Sequence, residues 1–249
     1  MSGHSKWATI KHKKAAVDKA RGKTFAKLAR QLEVAAREGG GDPSSNASLR
    51  TVVLKAKAAQ MTNDAIDRAI KRGTGEQTGA SYESITYEGY APGGVALLID
   101  VLTDNRNRTS GDVRAVFSKH GGAMAEPGAV GWQFSRKGVI VVDGMVAEDD
   151  VMTAALESGA EDVAAEGDVW KVTTEPSVVF DVKTALEGAG MKVLSAESTM
   201  VSSNLVPVDD VDDAKKILRI LDALEDNDDI QDVYSNFDMS DDVMTAASA

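Results

Sequence analysis

The stretch VIVVDGMVAEDDVMTAALESGAEDVAAEGDVWKVTT, residues 139–174, switches repeatedly between strand-like and helical patterns. It reads as a strand (VIVV), a helix (AEDDVMTAALES), a strand (EDVAA) and a further strand (VWKVTT). A helix (PSVVFDVKTALEG) and a strand (KVLSAESTM) follow, so 139–201 spells βαββαβ, the split-βαβ, ferredoxin-like order. That order assigns 136–206 to an α+β unit of its own.

The flanking segments belong to something else. Upstream, YESITYEGY (82–90) and GVALLIDVL (94–102) are strand-like and joined by the turn residues Ala91-Pro92-Gly93. A helix over about 106–120 carries Val113, Val116 and Phe117, Gly121-Gly122 closes it, and GWQF (131–134) reads as another short strand. Downstream of Pro207, an acidic helix over 210–226 places Ala214, Ile217, Leu218, Leu221 and Leu224 on one face, and IQDVYSNF (230–237) reads as a last strand. This helix–strand pair lacks a sheet of its own. It would complete the ββαβ unit begun at 82–135, which makes 79–135 plus 207–238 one discontinuous α+β domain with 136–206 inserted. The terminal MSDDVMTAASA, at 239–249, is expected to be disordered.

Before Tyr82 the pattern is helical. Phe25, Leu28, Leu32 and Ala35/Ala36 recur at three- and four-residue steps, with Lys23, Lys27, Arg30 and Arg37 on the opposite side, and Gly39-Gly40-Gly41 ends the helix. A second helix runs from about Asn46 to Gln60, and a third from a Thr62 or Asn63 cap to Gly73. Residues 1–22 lack a core-forming pattern and are expected to form a loose tail, in part helical from Thr9. The fold class is therefore α+β and multidomain. It comprises a basic tail (1–22), an N-terminal three-helix bundle (23–78), and two ferredoxin-like α+β domains, one inserted into the other.

A chain of 249 residues with 43% hydrophobic content has material for several packed cores. The absence of Cys excludes disulfides, thiol nucleophiles and Cys-bearing zinc sites. The longest apolar run, Val95–Ile99, is too short to span a membrane, and no apolar segment of secretory type follows the basic N-terminus. A soluble cytoplasmic protein is expected. The net charge is −11, but it is divided: residues 1–78 hold 16 Lys and Arg against 7 Asp and Glu, and residues 79–249 hold 12 against 32. Such asymmetry suggests a basic module for a polyanion, with an acidic remainder that repels it.

Three segments carry a resemblance. GHSKWATIKHKKAAVDKARGK (3–23), YEGYAPGGVALLIDVLTDNRNRT (87–109) and DALEDNDDIQDVYSN (222–236) together resemble the YebC/PmpR family, which includes a mitochondrial translational activator. The resemblance implies a helical N-terminal domain followed by two α+β domains. It also implies a DNA-binding transcriptional regulator, with some members acting in translation. The chain departs from the family at Thr62, where Pro tends to follow Met61, and at Ala125 and Ala129, where Gly and Ser are usual.

The candidate site is a nucleic-acid interface. Lys6, Lys11, Lys13, Lys14, Lys19 and Arg21 can follow a phosphate backbone, Trp7 can stack on a base, and His12, like His4, can hydrogen-bond to phosphate or a 2′-hydroxyl. The alternative is a solubilising tail with Trp7 folded back on the bundle. Lys23, Lys27 and Arg30 continue the charge, although an outer helix face is commonly charged anyway. Arg106, Arg108 and Arg114 cluster at the start of one helix, where anions are already favoured. The alternative is that Asp104 and Asp112 pair with them and Asn105 caps the helix.

Enzyme signatures are poor. No G-x-S-x-G or Walker motif occurs, GAGMKV (188–193) lacks the third Gly of a dinucleotide fingerprint, and the acidic runs at 209–213 and 226–229 do not match an EF-hand. The expectation is a non-enzymatic nucleic-acid-binding regulator without cofactor, metal, small-molecule substrate or membrane partner. By the resemblance it is a DNA-binding transcriptional regulator. One alternative is a translation factor that contacts ribosomal RNA. Another is a protein-interaction module acting through its acidic C-terminal part.

Overall fold

The computed structural model describes residues 17–76 and 80–248, with side chains from Gly22 onward. These residues form two compact units, one spanning 132–205 and the other combining the segments before and after it.

The described residues open with α1 (Val17–Gly39), α2 (Ala47–Ala58) and α3 (Asn63–Gly73). Leu28, Leu32, Ala35 and Ala36 of α1 pack against Leu49, Ala56, Met61, Ile66 and Ala69. The α1 start differs from the expected one. Gly22 lies inside the helix rather than before it, because one interior glycine costs only about 1 kcal/mol relative to alanine and a long apolar face outweighs that. Lys19 and Arg21 therefore lie on α1 and not in a tail. Asn46 fixes the first corner: its amide donates to the carbonyls of Ala35 and Gly40, both at 2.8 Å, while its carbonyl oxygen caps α2 at the Leu49 N–H. Gly73 lets α3 approach α1, since a Cβ there would lie 2.3 Å from the Glu33 carbonyl oxygen.

Next come β1 (Glu83–Tyr90), β2 (Ala96–Thr103), α4 (Arg106–Lys119) and β3 (Ala123–Ala125). The GWQF segment does not supply the third strand. Gly131–Gln133 make a 3-10 turn, and Ala123–Ala125 pair with β1 instead. The cause is Glu88, whose carboxylate accepts the N–H groups of Gly128, Val130 and Gly131 at 2.6–2.8 Å and holds that loop as a turn. Burial alone would raise the Glu88 pKa, but the three backbone donors outweigh it and hold the group below its ordinary value.

The unit 132–205 contains β4 (Phe134–Asp143), α5 (Glu148–Glu157), β5 (Ala160–Glu166), β6 (Val169–Thr174), α6 (Val179–Gly188) and β7 (Val193–Ser202). Its sheet has the order β5-β6-β4-β7, antiparallel throughout. Val151, Ala155, Val179, Val182 and Leu186 from the two helices close a core over Ile140, Val142 and Val172. A fragment of 132–205 is expected to fold alone, because both termini of its sheet are tied by the Phe134–Ser202 pair and its core is self-contained. A circular dichroism and NMR profile of an unstructured chain would count against this.

After the insertion come β8 (Val206–Pro207), α7 (Val211–Glu225), β9 (Ile230–Ser235), β10 (Phe237–Asp238) and α8 (Asp241–Ser248). β9 pairs with β2, giving the sheet order β3-β1-β2-β9. Residues 83–125 and 230–235 thus share one sheet on either side of the inserted unit. Ile217, Leu221 and Leu224 of α7, with Val113 and Phe117 of α4, pack on Leu97, Ile99 and Val233. The expectation of disorder at 239–249 is wrong over 241–248. Met244 is fully buried with Val243 and Ala247 beside it, and this short apolar face seats α8 in the core completed by α7. A polar, acidic composition concealed that face.

Candidate nucleic-acid interface

The basic side of α1 is turned inward on the chain itself. Lys23 donates to the Asp226 carboxylate at 2.7 Å and Lys27 to the Glu225 carbonyl at 3.0 Å. Arg30 donates to the Asp228 carbonyl at 2.7 Å and the Asp229 carboxylate at 2.6 Å, with its guanidinium 5.3 Å from the Tyr82 ring centre. These contacts join the bundle to the end of α7 and the loop after it. Glu33, 2% exposed, receives Arg37 and Arg72 at 3.2 and 3.0 Å.

Asp229 is the hub of this region. It is 4% exposed, and its carboxylate accepts from Arg30, Arg108, Thr109 and Thr103 at 2.6–3.1 Å. Burial pushes its pKa up, but the Arg108, Thr109, Arg30 and Thr103 hydrogen bonds prevail and hold it at about 2. Sequence reasoning missed Asp229, Thr103 and Thr109, and gave Glu33 no role. An acid in DNDD after a helix looks solvated, and no periodicity shows that two arginines from distant segments will meet it.

The arginine cluster of α4 is divided by this hub. Arg108 is drawn to Asp104 at 2.8 Å and Asp229 at 2.6 Å, while Asn105 caps the helix at the Arg108 N–H. Asp112 accepts from Asn227 instead. Arg106 and Arg114 stay exposed, without an acidic partner among the described residues. Replacing Arg106 and Arg114 together with Gln is expected to leave the melting temperature near wild type, and Arg108→Gln to lower it. Equal melting temperatures for the two variants would show that the Arg108–Asp229 pair does not contribute to stability.

Lys6, Trp7, Lys11, His12, Lys13 and Lys14 lie outside the described residues. Lys19 and Arg21 fall in the opening turns of α1. On the bundle, Lys55, Lys57, Arg68 and Lys71 are exposed and have no acidic partner among the described residues. Lys57 and Lys71 line one cavity together with Val53, Ile66 and Ile70 and the acids Asp67 and Glu76. Among the described side chains, the bundle's cations without an acidic partner therefore stand on α2 and α3, and not on the face of α1 that periodicity singled out. Among the described residues no group of three or more His, Asp or Glu could hold a metal ion, and no helix is long and apolar enough to cross a membrane.

Comparison with known proteins matches residues 5–76 to the TACO1/YebC N-terminal domain and 82–237 to the TACO1/YebC second and third domains. A probable transcriptional regulatory protein of Rubrobacter xylanophilus is 56% identical over 246 residues, covering 98% of each chain. One of the same description from Halothermothrix orenii is 53% identical over 247 residues, again covering 98% of each. The crystal structure of a conserved hypothetical protein from Aquifex aeolicus shares 45% identity with a TM-score of 0.81, covering 94% of this chain and 97% of that one.

Proposed function

Since the chain belongs to the TACO1/YebC family, we propose that it is a non-enzymatic, cytoplasmic regulator of gene expression that acts by binding nucleic acid. The observation that carries this reading is the separation of charge: the first 78 residues hold 16 of the 28 basic side chains, and beyond them acids outnumber bases. Lys55, Lys57, Arg68 and Lys71 remain unengaged on α2 and α3, and the lysines of the first 14 residues precede α1. Phosphate contacts from such a module bring affinity with little sequence information.

The names of the curated relatives favour transcription, for which the nucleic acid would be duplex DNA. A second reading, ribosomal RNA and translation, is favoured by Trp7 among the lysines, since an aromatic ring stacks on unpaired bases and not on a closed duplex. Crosslinking in cells followed by sequencing of the bound nucleic acid separates the two. Enrichment of promoter DNA supports transcription, and enrichment of ribosomal RNA supports translation. Recovery of neither above a variant that lacks residues 2–16 and has Lys55, Lys57, Arg68 and Lys71 all changed to Gln would refute the nucleic-acid reading.

A further inference from the structure

We propose that the outer surface formed by α5 and α6 docks a basic protein segment carrying an apolar anchor, an interaction separate from the nucleic-acid reading. Met152 and Leu156 on α5 are 38% and 50% exposed, and Phe180 on α6 is 49% exposed. Single exposed apolar residues are ordinary on a protein surface. Here, however, Met152 and Leu156 are one turn apart on the same helix, and Phe180 stands on the helix packed beside it.

The surrounding charge selects the partner. Glu148, Asp149, Asp150 and Glu157 on α5 and Asp181 on α6 are all exposed. Lys183 is the one basic residue on either helix, and it is bound to Glu187 at 2.7 Å. The whole unit 132–205 has 13 acids against 5 bases. A nucleic acid or an anionic lipid surface is repelled by that field. A second copy, paired symmetrically through the same patch, sets acid against acid. A Lys- or Arg-rich segment with one or two bulky apolar side chains meets both features, with the apolar residues buried at the centre and the charges at the rim.

The test uses the full-length chain and two synthetic peptides of about 18 residues, long enough to hold a helix. One peptide is a Leu/Lys amphipathic helix and the other a Ser/Lys control of equal charge. The Leu/Lys peptide is expected to bind and to shift amide NMR signals of α5 and α6, and the control to bind at least about tenfold more weakly. A variant with Met152, Leu156 and Phe180 all changed to Ser, and another with Asp149→Lys and Glu157→Lys, should each lose about tenfold in affinity at unchanged melting temperature. Wild-type affinity in both variants, equal binding of the control, or signal shifts confined to other elements would each overturn the proposal. So would sedimentation showing self-association that the triple variant abolishes, which would make the patch a contact between copies.

Discussion

Asp229→Ala is expected to destabilise the chain by about 3 kcal/mol, more than any surface substitution, because it leaves two arginines and two threonine hydroxyls without their common acceptor. Arg30 comes from α1, Arg108 and Thr109 from α4, and Thr103 from the end of β2, so one carboxylate joins three elements. The effect should carry a pH signature. The folded-state pKa, about 2, lies below the ordinary value of 3.8, so the stabilisation is complete above the unfolded value and fades as pH falls from about 5 through 2. Chemical denaturation of wild type and Asp229→Asn at pH 7 and pH 3 checks this, and the difference between them should shrink at the lower pH. A difference that does not change with pH would show that the carboxylate's charge contributes nothing.

Deleting residues 2–16 should produce the largest change in binding. It removes Lys6, Lys11, Lys13 and Lys14 together with Trp7 and His12, and it keeps the described span of α1, Val17–Gly39. If each of the four lysines neutralises one phosphate, the slope of log affinity against log salt should flatten by about 3 to 4 on duplex or single-stranded ligand. Trp7→Ala alone should weaken binding to single strands or RNA by about 1–3 kcal/mol and leave duplex binding almost unchanged. A truncated chain with undiminished affinity and slope would assign the opening segment to solubility. Equal losses on duplex and single strand for the Trp7 variant would remove the physical reason to favour RNA.

Local pattern carried much of the fold. The βαββαβ order between Val139 and Ser202 is legible because each helix buries one apolar stripe and each strand is closed by a glycine or polar turn. The Thr62 cap and the Gly73 stop of α3 are legible for the same reason, since caps and turns are short-range chemistry. What escaped was set by tertiary partners. Glu88 turns GWQF into a loop from forty residues away, and Met244 is recruited to a core that its own segment does not advertise. The interface follows the same division. A basic stripe on α1 is visible in the sequence, but its engagement by residues 225–229 depends on where α7 ends in space.

The interruption of one sheet by a complete unit bears on the order of events during synthesis. β2 at 96–103 cannot meet β9 until residue 230 and beyond have left the ribosome, so the host sheet waits through the making of the entire insertion. The inserted strands need no later residue than Ser202, and they can pair first. Once they do, the 74 residues from 132 to 205 act as a short closed link, since Ser203 donates its N–H to the Gln133 carbonyl at 2.9 Å. With loop-closure entropy changing by about 0.6 kcal/mol for each doubling of length, shortening the 126-residue connection between β2 and β9 by those 74 residues spares the host only about 0.8 kcal/mol when its last strand arrives. A lesion that slows the insertion should therefore delay the host sheet as well, leaving the apolar β2 with an uncovered edge and exposed to aggregation.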